Sequence, residues 1–299
     1  MRLFPIAAGT VLVLAGAAPA QDPFRAPFLE AVRPAGEGGE WAESPFADRI
    51  ETDRDAFTPT VKTVPAGRVI LESAYSFVDN RRSADTHSFP EMILRYGLSE
   101  RVELRLGWNY EVGGGGNEVS SAGRSEGGRP GGESEAGSAE APSGLLRESR
   151  LTYGVKVGLI EQNGWLPESA LILIGQTPTR GDVTATTGGA VLITGWELPA
   201  EWRFDVALRY SSAVEEGDHF NVWSPSAVVR VPLDERRTVH VEYFGALAYG
   251  KAESFRNHYL SAGASYLLTP DLEVGVRGGV GLNDEAPRGF INAGFGWRY

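Results

Sequence analysis

Apolar and polar residues alternate with a period of two along most of this chain. Residues 101–111 are the clearest case. One face carries Val102, Leu104, Leu106, Trp108 and Tyr110, and the other carries Arg101, Glu103, Arg105, Gly107, Asn109 and Glu111. Because successive side chains of a β-strand point to opposite sides, this pattern predicts a strand with one apolar and one polar face. The same alternation recurs in residues 149–160, 201–212, 237–249 and 271–282.

The pattern predicts about twelve strands, each near the ~9–11 residues that a tilted strand needs to cross a bilayer. The predicted spans are 68–78, 88–97, 101–111, 149–160, 168–176, 189–197, 201–212, 219–231, 237–249, 257–268, 271–282 and 289–299. Three of them, 168–176, 189–197 and 219–231, alternate poorly and are placed mainly by their spacing.

The connections between these spans alternate in length. Short turns fall at 97–100, 198–200, 232–235 and 269–271, and longer connections at 79–87, 112–148, 177–188, 213–218, 250–256 and 283–288. This arrangement is typical of an outer-membrane barrel, with short periplasmic turns and longer extracellular loops. We therefore predict an all-β fold, a closed up-and-down antiparallel transmembrane β-barrel. The loop 112–148 is rich in Gly, Ser and Glu, and we expect it to be disordered.

A soluble β-sandwich would also alternate, but aromatic residues at the strand ends favour a membrane barrel. Trp202 opens one predicted strand and Tyr210 closes it, as in the aromatic girdles at the two membrane interfaces. The last strand alternates to Tyr299, which resembles the C-terminal signal that outer-membrane proteins present to the barrel-assembly machinery. No window of eighteen apolar residues follows residue 20, so a helical membrane protein is excluded.

The beginning of the chain predicts export. Arg2 precedes an apolar run, and Ala18-Pro19-Ala20 has the small residues that signal peptidase requires. The alternative is a short membrane anchor, but about fifteen apolar residues fall short of the ~20 of a spanning helix. We expect a signal peptide at 1–20, a periplasmic N-terminal extension at 21–66 and a barrel at 67–299. The expected location is the outer membrane of a Gram-negative bacterium, in contact with outer-membrane lipids.

Composition narrows the classes of function. The chain has 28 basic and 39 acidic residues and a net charge of -11, so it has no basic surplus for binding nucleic acid. It contains no Cys, which excludes disulfides, thiolate metal sites and a Cys nucleophile. We expect no cofactor.

Several landmarks occur in an order that resembles a known family. They are Ile50-Glu51-Thr52-Asp53-Arg54, Val64-Pro65-Ala66-Gly67, Glu72, Leu94-Arg95-Tyr96-Gly97-Leu98, Val102-Glu103-Leu104-Arg105, Lys156, Pro167 and Pro178-Thr179. The resemblance is to the outer-membrane transporter family labelled as the MetA-pathway of phenol degradation, over roughly residues 50–299. It implies a barrel with a transport role. Asp55-Ala56-Phe57 stands where the family has proline, aspartate and phenylalanine. The phenol label is an association, and we do not transfer the substrate.

Ten charged residues are predicted to point into the lumen. They are Glu72, Arg95, Glu103, Arg105, Lys156, Arg203, Asp205, Arg209, Glu242 and Arg277. Twelve strands give a backbone radius of about 12 Å, between the filled eight-stranded and the open sixteen-stranded barrels. The residues either line a narrow pore, the interpretation we favour, or pair across the lumen and plug it. Their mixed signs predict no strong ion preference.

An outer-membrane phospholipase-like hydrolase is the catalytic alternative. The four histidines are His87, His219, His240 and His258, and none has the His-x-Ser spacing of that family, since Ser88 follows His87 directly. Residues 123–127 fit the pattern Gly-x-Ser-x-Gly, but a nucleophile elbow requires a strand-to-helix turn, and these residues lie in a Gly/Ser-rich loop.

Metal and nucleotide sites are not predicted. Gly113 to Gly116 lacks the Lys and Ser/Thr of a phosphate-binding loop. The histidines lack paired spacing for zinc, and Glu133 and Glu135 are at most a weak site for a divalent cation.

The sequence thus favours a monomeric outer-membrane barrel that acts as a passive channel for small solutes, with small hydrophobic or aromatic compounds as one class of solute. The remaining alternative is a non-transporting barrel with a structural or adhesive role, in which the loop 112–148 forms the outward surface.

Overall fold

A computed structural model describes residues 46–81, 83–114, 117, 119–120, 145–181, 185–215, 218–250 and 254–299. In this part of the chain, twelve antiparallel strands form a closed barrel in sequential order. The strands are β1 (Val69–Asp79), β2 (Thr86–Ser99), β3 (Val102–Gly113), β4 (Leu146–Ile160), β5 (Glu168–Arg180), β6 (Thr187–Glu197), β7 (Arg203–Glu215), β8 (Asp218–Pro232), β9 (Arg237–Tyr249), β10 (Arg256–Thr269), β11 (Leu272–Gly281) and β12 (Gly289–Arg298).

Pairing of the first strand with the last closes the sheet. Leu71 lies opposite Trp297, and the antiparallel register continues to Asp79 opposite Gly289. Closure leaves no unpaired strand edge, which would be unstable in hydrocarbon. The predicted closed barrel and the location of all twelve strands are confirmed. No helix in the described residues is both long and apolar enough to cross a membrane.

Side chains alternate between the two faces of the barrel wall as predicted. In β3 Leu104 and Leu106 are exposed on the outer face, while Glu103 between its apolar neighbours is buried inside. Aromatic pairs lie toward both ends of the outer face. The rings of Tyr210 and Trp223 are 4.9 Å apart near the loop end of β7 and β8, and those of Trp196 and Phe204 are 5.8 Å apart near the opposite end. This apolar band bounded by aromatics fits a bilayer.

The strands that alternate poorly have apolar residues on both faces. On β5 and β6 the inner face carries Ala170, Ile172, Val191 and Ile193, which form a buried cluster. On β8 the inner residues Phe220 and Val222 belong to a second cluster at the loop end, which also includes Ala213, Ala246, Ala248 and Phe255. Because apolar side chains occupy both the lipid and the lumen side, period two disappears from the sequence.

The connections divide the barrel into a turn end and a loop end. At the turn end β1 begins and β12 ends. Residues 100–101 join β2 to β3 there, and residues 270–271 join β10 to β11. Two predicted loops at the other end are shorter than expected. The segment 177–188 contains strand as far as Arg180, and β7 and β8 are separated by residues 216–217 alone, because ladder pairing continues to Glu215 opposite Asp218.

Three other predictions fall wholly or partly outside the described residues. The predicted signal peptide 1–20 lies wholly outside them, and so do residues 21–45 of the predicted extension and most of the loop 112–148. Residues 46–66, which we call the inserted segment, are the described part of the predicted N-terminal extension 21–66. They fold into the lumen from the turn end and return to β1, because buried charges on the inner wall bind them.

The outer face generates a stability prediction. Leu106→Arg places a cation in the middle of β3 on the lipid side, and we expect it to lower the free energy of unfolding in lipid vesicles by about 2–4 kcal/mol. Leu98→Arg, at the turn end of β2, serves as the matched control and should cost about 0–1 kcal/mol. Equal losses for the two variants in urea titrations would contradict the assignment of this face to lipid.

Candidate functional site in the barrel lumen

All ten residues predicted to point inward lie on the inner face. Eight of them are buried, with exposures of 5% or less: Glu72, Arg95, Glu103, Lys156, Asp205, Arg209, Glu242 and Arg277. The side chains of Arg105 and Arg203 are 8% and 12% exposed. Most of these residues bind the inserted segment or one another rather than lining an open path.

Asp53 is the centre of the first anchor of the inserted segment. Its carboxylate lies 2.7 Å from Arg105 Nη1, 3.3 Å from Lys156 Nζ and 3.6 Å from Arg95 Nη2. Burial by itself would raise the pKa of Asp53, but the charges of Arg95, Lys156 and Arg105 outweigh it and hold the pKa well below its usual range. Asp53 is therefore ionised at neutral pH and ties the segment to β2, β3 and β4.

The carboxylates of the wall share the same cations. Arg95 donates from Nε and Nη2 to the two oxygens of Glu103, at 2.8 and 2.9 Å, and from Nη1 to Glu72 at 2.8 Å. Glu72 in turn accepts the backbone N–H of Asp53 at 3.1 Å, and Glu103 accepts that of Val64 at 2.9 Å. The network thus binds both limbs of the inserted segment.

A second anchor holds the tip of the segment. Glu242 on β9 accepts the backbone N–H groups of Phe57 and Thr58 at 2.9 and 2.6 Å and the Thr58 hydroxyl at 2.7 Å. Asp55 receives two hydrogen bonds from Arg230, at 2.7 and 3.1 Å. Arg230 also binds Asp205 at 2.7 Å. The tip is therefore fixed to β7, β8 and β9.

Stacked aromatic rings fill the lumen beside β9, β10 and β12. The Phe57 ring stacks on Phe244 at 4.5 Å, and Phe244 stacks on Tyr259 at 4.7 Å. Phe290 packs edge-on against Phe244 at 5.9 Å. The Arg209 guanidinium lies over the Phe57 ring, 4.7 Å from its centre, a cation–π contact. This side of the lumen is closed by aromatic packing.

Residues from the loop between β3 and β4 enter from the opposite end. Ser120 Oγ donates to Glu91 at 2.7 Å, and Asn117 Nδ2 donates to the same carboxylate. Val119 packs in the aromatic cluster with Phe57, and its carbonyl accepts a hydrogen bond from Arg277. These three residues therefore depart from the predicted disordered extracellular loop, because a buried carboxylate and apolar rings bind them inside the barrel.

In the described part of the chain, a cavity lies on each side of the inserted segment. The turn-end cavity, lined by Thr60, Arg203 and Arg298 among others, has about 2030 Å³ of free space, including its open mouth. The loop-end cavity lies against β3 to β7 and has about 600 Å³ of free space, including its mouth, with Pro59 in its wall. Pro59 and Thr60, adjacent in the inserted segment, thus line different cavities, so this segment lies between the two.

Three of the four histidines considered for the catalytic alternative have these surroundings in the described residues. His87 and His258 each share a hydrogen bond of 2.7 Å between Nδ1 and a tyrosine hydroxyl, from Tyr75 and Tyr243 respectively. His240 is buried inside the barrel, and its Nε2 has no hydrogen-bond partner in the described part of the chain. In the same part no three His, Cys, Asp or Glu side chains are grouped to hold a metal ion. The Gly-x-Ser-x-Gly pattern lies outside the described residues.

One known family matches most of the chain. The model of the family described as "Putative MetA-pathway of phenol degradation" matches residues 52–299. The chain belongs to this family. The match begins at Thr52, inside the inserted segment, so the family pattern includes the residues that enter the lumen as well as the barrel itself. The resemblance read from the sequence is thereby confirmed.

Solved structures with the same fold include outer-membrane channels. The COG4313 outer membrane channel from Pseudomonas putida F1 is similar over 80% of this chain and 98% of that chain, with a TM-score of 0.54 and 14% identity. The NanC porin covers 77% and 98%, with a TM-score of 0.49 and 9% identity. The beta domain of the Bordetella autotransporter BrkA covers 79% and 100%, with a TM-score of 0.47 and 14% identity. No curated protein matches the chain in sequence.

Sequence reasoning missed the inserted segment and several charged residues of the inner wall. The ten predicted lumen residues comprise six cations and four carboxylates, and the strands also bury Glu91, Glu111, Arg150 and Arg230. Buried charges require partners, and some of the partners come from the segment before β1. Asp53, within the family landmark, and Asp55, just after it, are two of them.

The ion network of this family member generates a stability prediction. Arg95→Met leaves Glu72 and Glu103 buried without their main cation, and the free energy of unfolding should fall by about 3–5 kcal/mol. The control is Arg101→Met, which breaks the exposed pair between Arg101 and Glu161 at 2.6 Å; it should cost less than about 1 kcal/mol. Denaturant titrations of both variants in lipid vesicles measure the difference. Similar costs would show that the buried network does not stabilise the fold.

Proposed function

We propose that this protein is a passive outer-membrane channel for small solutes, and that the inserted segment sets the width of its path. The observation that carries the proposal is a closed barrel with a lipid-compatible outer face and a polar lumen, in which cavities lie on both sides of one stretch of chain. Membership of the MetA-pathway family and a fold shared with outer-membrane channels support it.

The path runs along the inner faces of β3 to β7. The opposite side of the lumen is closed by the rings of Phe57, Phe244 and Tyr259. On the β3 to β7 side the barrier is the segment around Pro59 and Thr60, which backbone and side-chain hydrogen bonds hold but no strand pairing fixes. Movement of this short stretch joins the two cavities. The channel acts by diffusion down a gradient and performs no catalytic step.

Weakening the anchors of the segment tests this function. In planar bilayers the wild-type protein should give small stepwise conductance. The double variant Asp53→Asn and Phe57→Ala removes the charge bound by three cations and the ring stacked on Phe244, so its conductance should rise severalfold. Asp234→Asn removes one acidic charge from the exposed turn between β8 and β9 and should leave the conductance unchanged.

Two results would count against the channel. Silence of both the wild type and the double variant would favour a plugged barrel with a structural or adhesive role. A rise that is equal in the double variant and in Asp234→Asn would mean that the inserted segment does not control the path.

We also propose that the protein is a monomer assembled by the barrel-assembly machinery through β12. The lipid-facing residues Ile291, Phe295 and Trp297 alternate with inward residues up to Tyr299. Their exposure on the finished barrel fits a recognition signal that remains accessible in the last strand.

The assembly proposal has its own test. Tyr299→Ser should lower the amount of protein that reaches the outer membrane in folded form, measured by heat-modifiable migration on gels. The molecules that do assemble should keep the wild-type conductance. Tyr249→Ser changes an exposed aromatic residue at the loop end and is the control. Equal yields for the two variants would contradict a signal at the end of β12.

A further inference from the structure

The charged residues that line the turn-end cavity form ion pairs, with one exception. Each cation of the lining lies 2.7 to 3.6 Å from a carboxylate of the same lining: Arg49 from Glu201, Lys62 from Glu197, Arg203 from Glu51, Arg230 from Asp55 and Arg298 from Asp48. The remaining carboxylate of the lining belongs to Glu273 on β11. Among the described residues, the cavity therefore has one negative charge without a paired cation.

Glu273 has a single partner in the described part of the chain. Thr52 Oγ1 donates a hydrogen bond to Glu273 Oε1 at 2.6 Å. Arg54, two residues farther along the inserted segment, forms no ion pair with this carboxylate there, because its Nη2 donates to the carbonyl of Gly275 at 3.1 Å. A carboxylate inside a barrel is unfavourable without an opposite charge. Glu273 therefore indicates that a positive group enters the cavity.

An apolar surface lies beside this carboxylate. Leu267 is the residue opposite Glu273 in the pairing of β10 with β11. It belongs to an apolar cluster whose members all line the turn-end cavity: Phe46, Ile50, Val64, Ile70 and Leu267. An unpaired carboxylate next to an apolar wall matches a ligand that combines a positive group with a short hydrocarbon chain.

The turn-end cavity has room for such a ligand. Its free space of about 2030 Å³ includes an open mouth, so a small molecule can enter from the turn end. A cation with a few carbon atoms occupies only a small part of this volume. Neither the barrel wall nor the inserted segment has to move to admit it.

We propose that the turn-end cavity binds a small organic cation, an ammonium group with a short apolar tail. The ammonium group pairs with Glu273, and the tail lies against the apolar cluster around Leu267. The proposal rests on the channel function given above and names a class of solute for it.

Calorimetry with the purified barrel in detergent tests the site at about pH 8, where a carboxylate is ionised and an alkylammonium keeps its proton. The probe is butylammonium, with 1-butanol as the counterpart without charge and methylammonium as the counterpart without a tail. Butylammonium should bind more tightly than either, because each counterpart lacks one of the two contacts. Equal binding of butylammonium and 1-butanol to the wild type would overturn the proposal.

Glu273→Gln keeps the size of the side chain and an acceptor for Thr52 but removes the charge, so butylammonium affinity should fall by about tenfold or more. Glu201→Gln is the matched control. It makes the same change at a carboxylate of the same cavity that Arg49 already pairs with, and it should keep the wild-type affinity. An equal loss of affinity in the two variants would contradict a site at Glu273. The comparison of ligands on the wild type decides the proposal even if Glu273→Gln does not fold.

Conductance recordings of the same preparations separate this proposal from the channel function. If the wild type conducts but does not bind butylammonium, the solute class is wrong and the channel stands. If butylammonium binds in the predicted way but no preparation conducts, the site stands and the channel function is wrong.

Discussion

A charge inside a narrow barrel is stable only when an opposite charge or a hydrogen-bond donor reaches it. The inner wall of this protein carries many charged groups, and their arrangement determines what else the lumen contains. Cations on β2, β3 and β4 bind the carboxylate of Asp53. Glu242 on β9 accepts hydrogen bonds from backbone N–H groups of the inserted segment. The inserted segment is therefore as much a part of the folded barrel as the strands are.

The same requirement explains why the lumen is not uniform. Beside β9 to β12 aromatic rings stack on the tip of the segment and close the space. On β5 and β6 the charges that meet the segment, Glu168 and Glu197, lie at the turn end and bind Lys62 at 2.8 and 3.0 Å. Farther into the barrel the inner wall of these strands is apolar, and Val61 of the segment belongs to the cluster there. Space remains next to this apolar wall. The uneven distribution of charge around the barrel thus determines where the inserted segment fills the lumen and where space remains.

The sequence predicted the barrel well because period two is a direct consequence of a wall between lipid and water. In β3 every charged residue between Val102 and Tyr110 could be assigned to the inner face on this basis. The pattern was weak in β5, β6 and β8 because apolar packing inside the lumen gives the same residue types on both faces. A period of two cannot reveal a strand that is apolar on both faces, so these strands were predicted from their spacing along the chain.

The sequence did not reveal the position of the inserted segment, because the segment has no period and several of its partners are distant along the chain. Its partners are remote: Lys156 is 103 residues from Asp53, and Glu242 is 185 residues from Phe57. Local propensity carries no information about such contacts. The charges predicted on the inner wall indicate that partners are needed, but they do not indicate which segment supplies them.

The distance along the chain between the inserted segment and its partners determines which of its contacts a partly formed barrel can make. The partners of Asp53 lie on β2 to β4, so they become available as soon as the first hairpins exist. The partner of Phe57 and Thr58 lies on β9, and the register that brings it to the tip is complete only when β12 meets β1. The tip of the segment therefore has its complete set of contacts only in the closed barrel, whereas the contacts of Asp53 require three neighbouring strands alone.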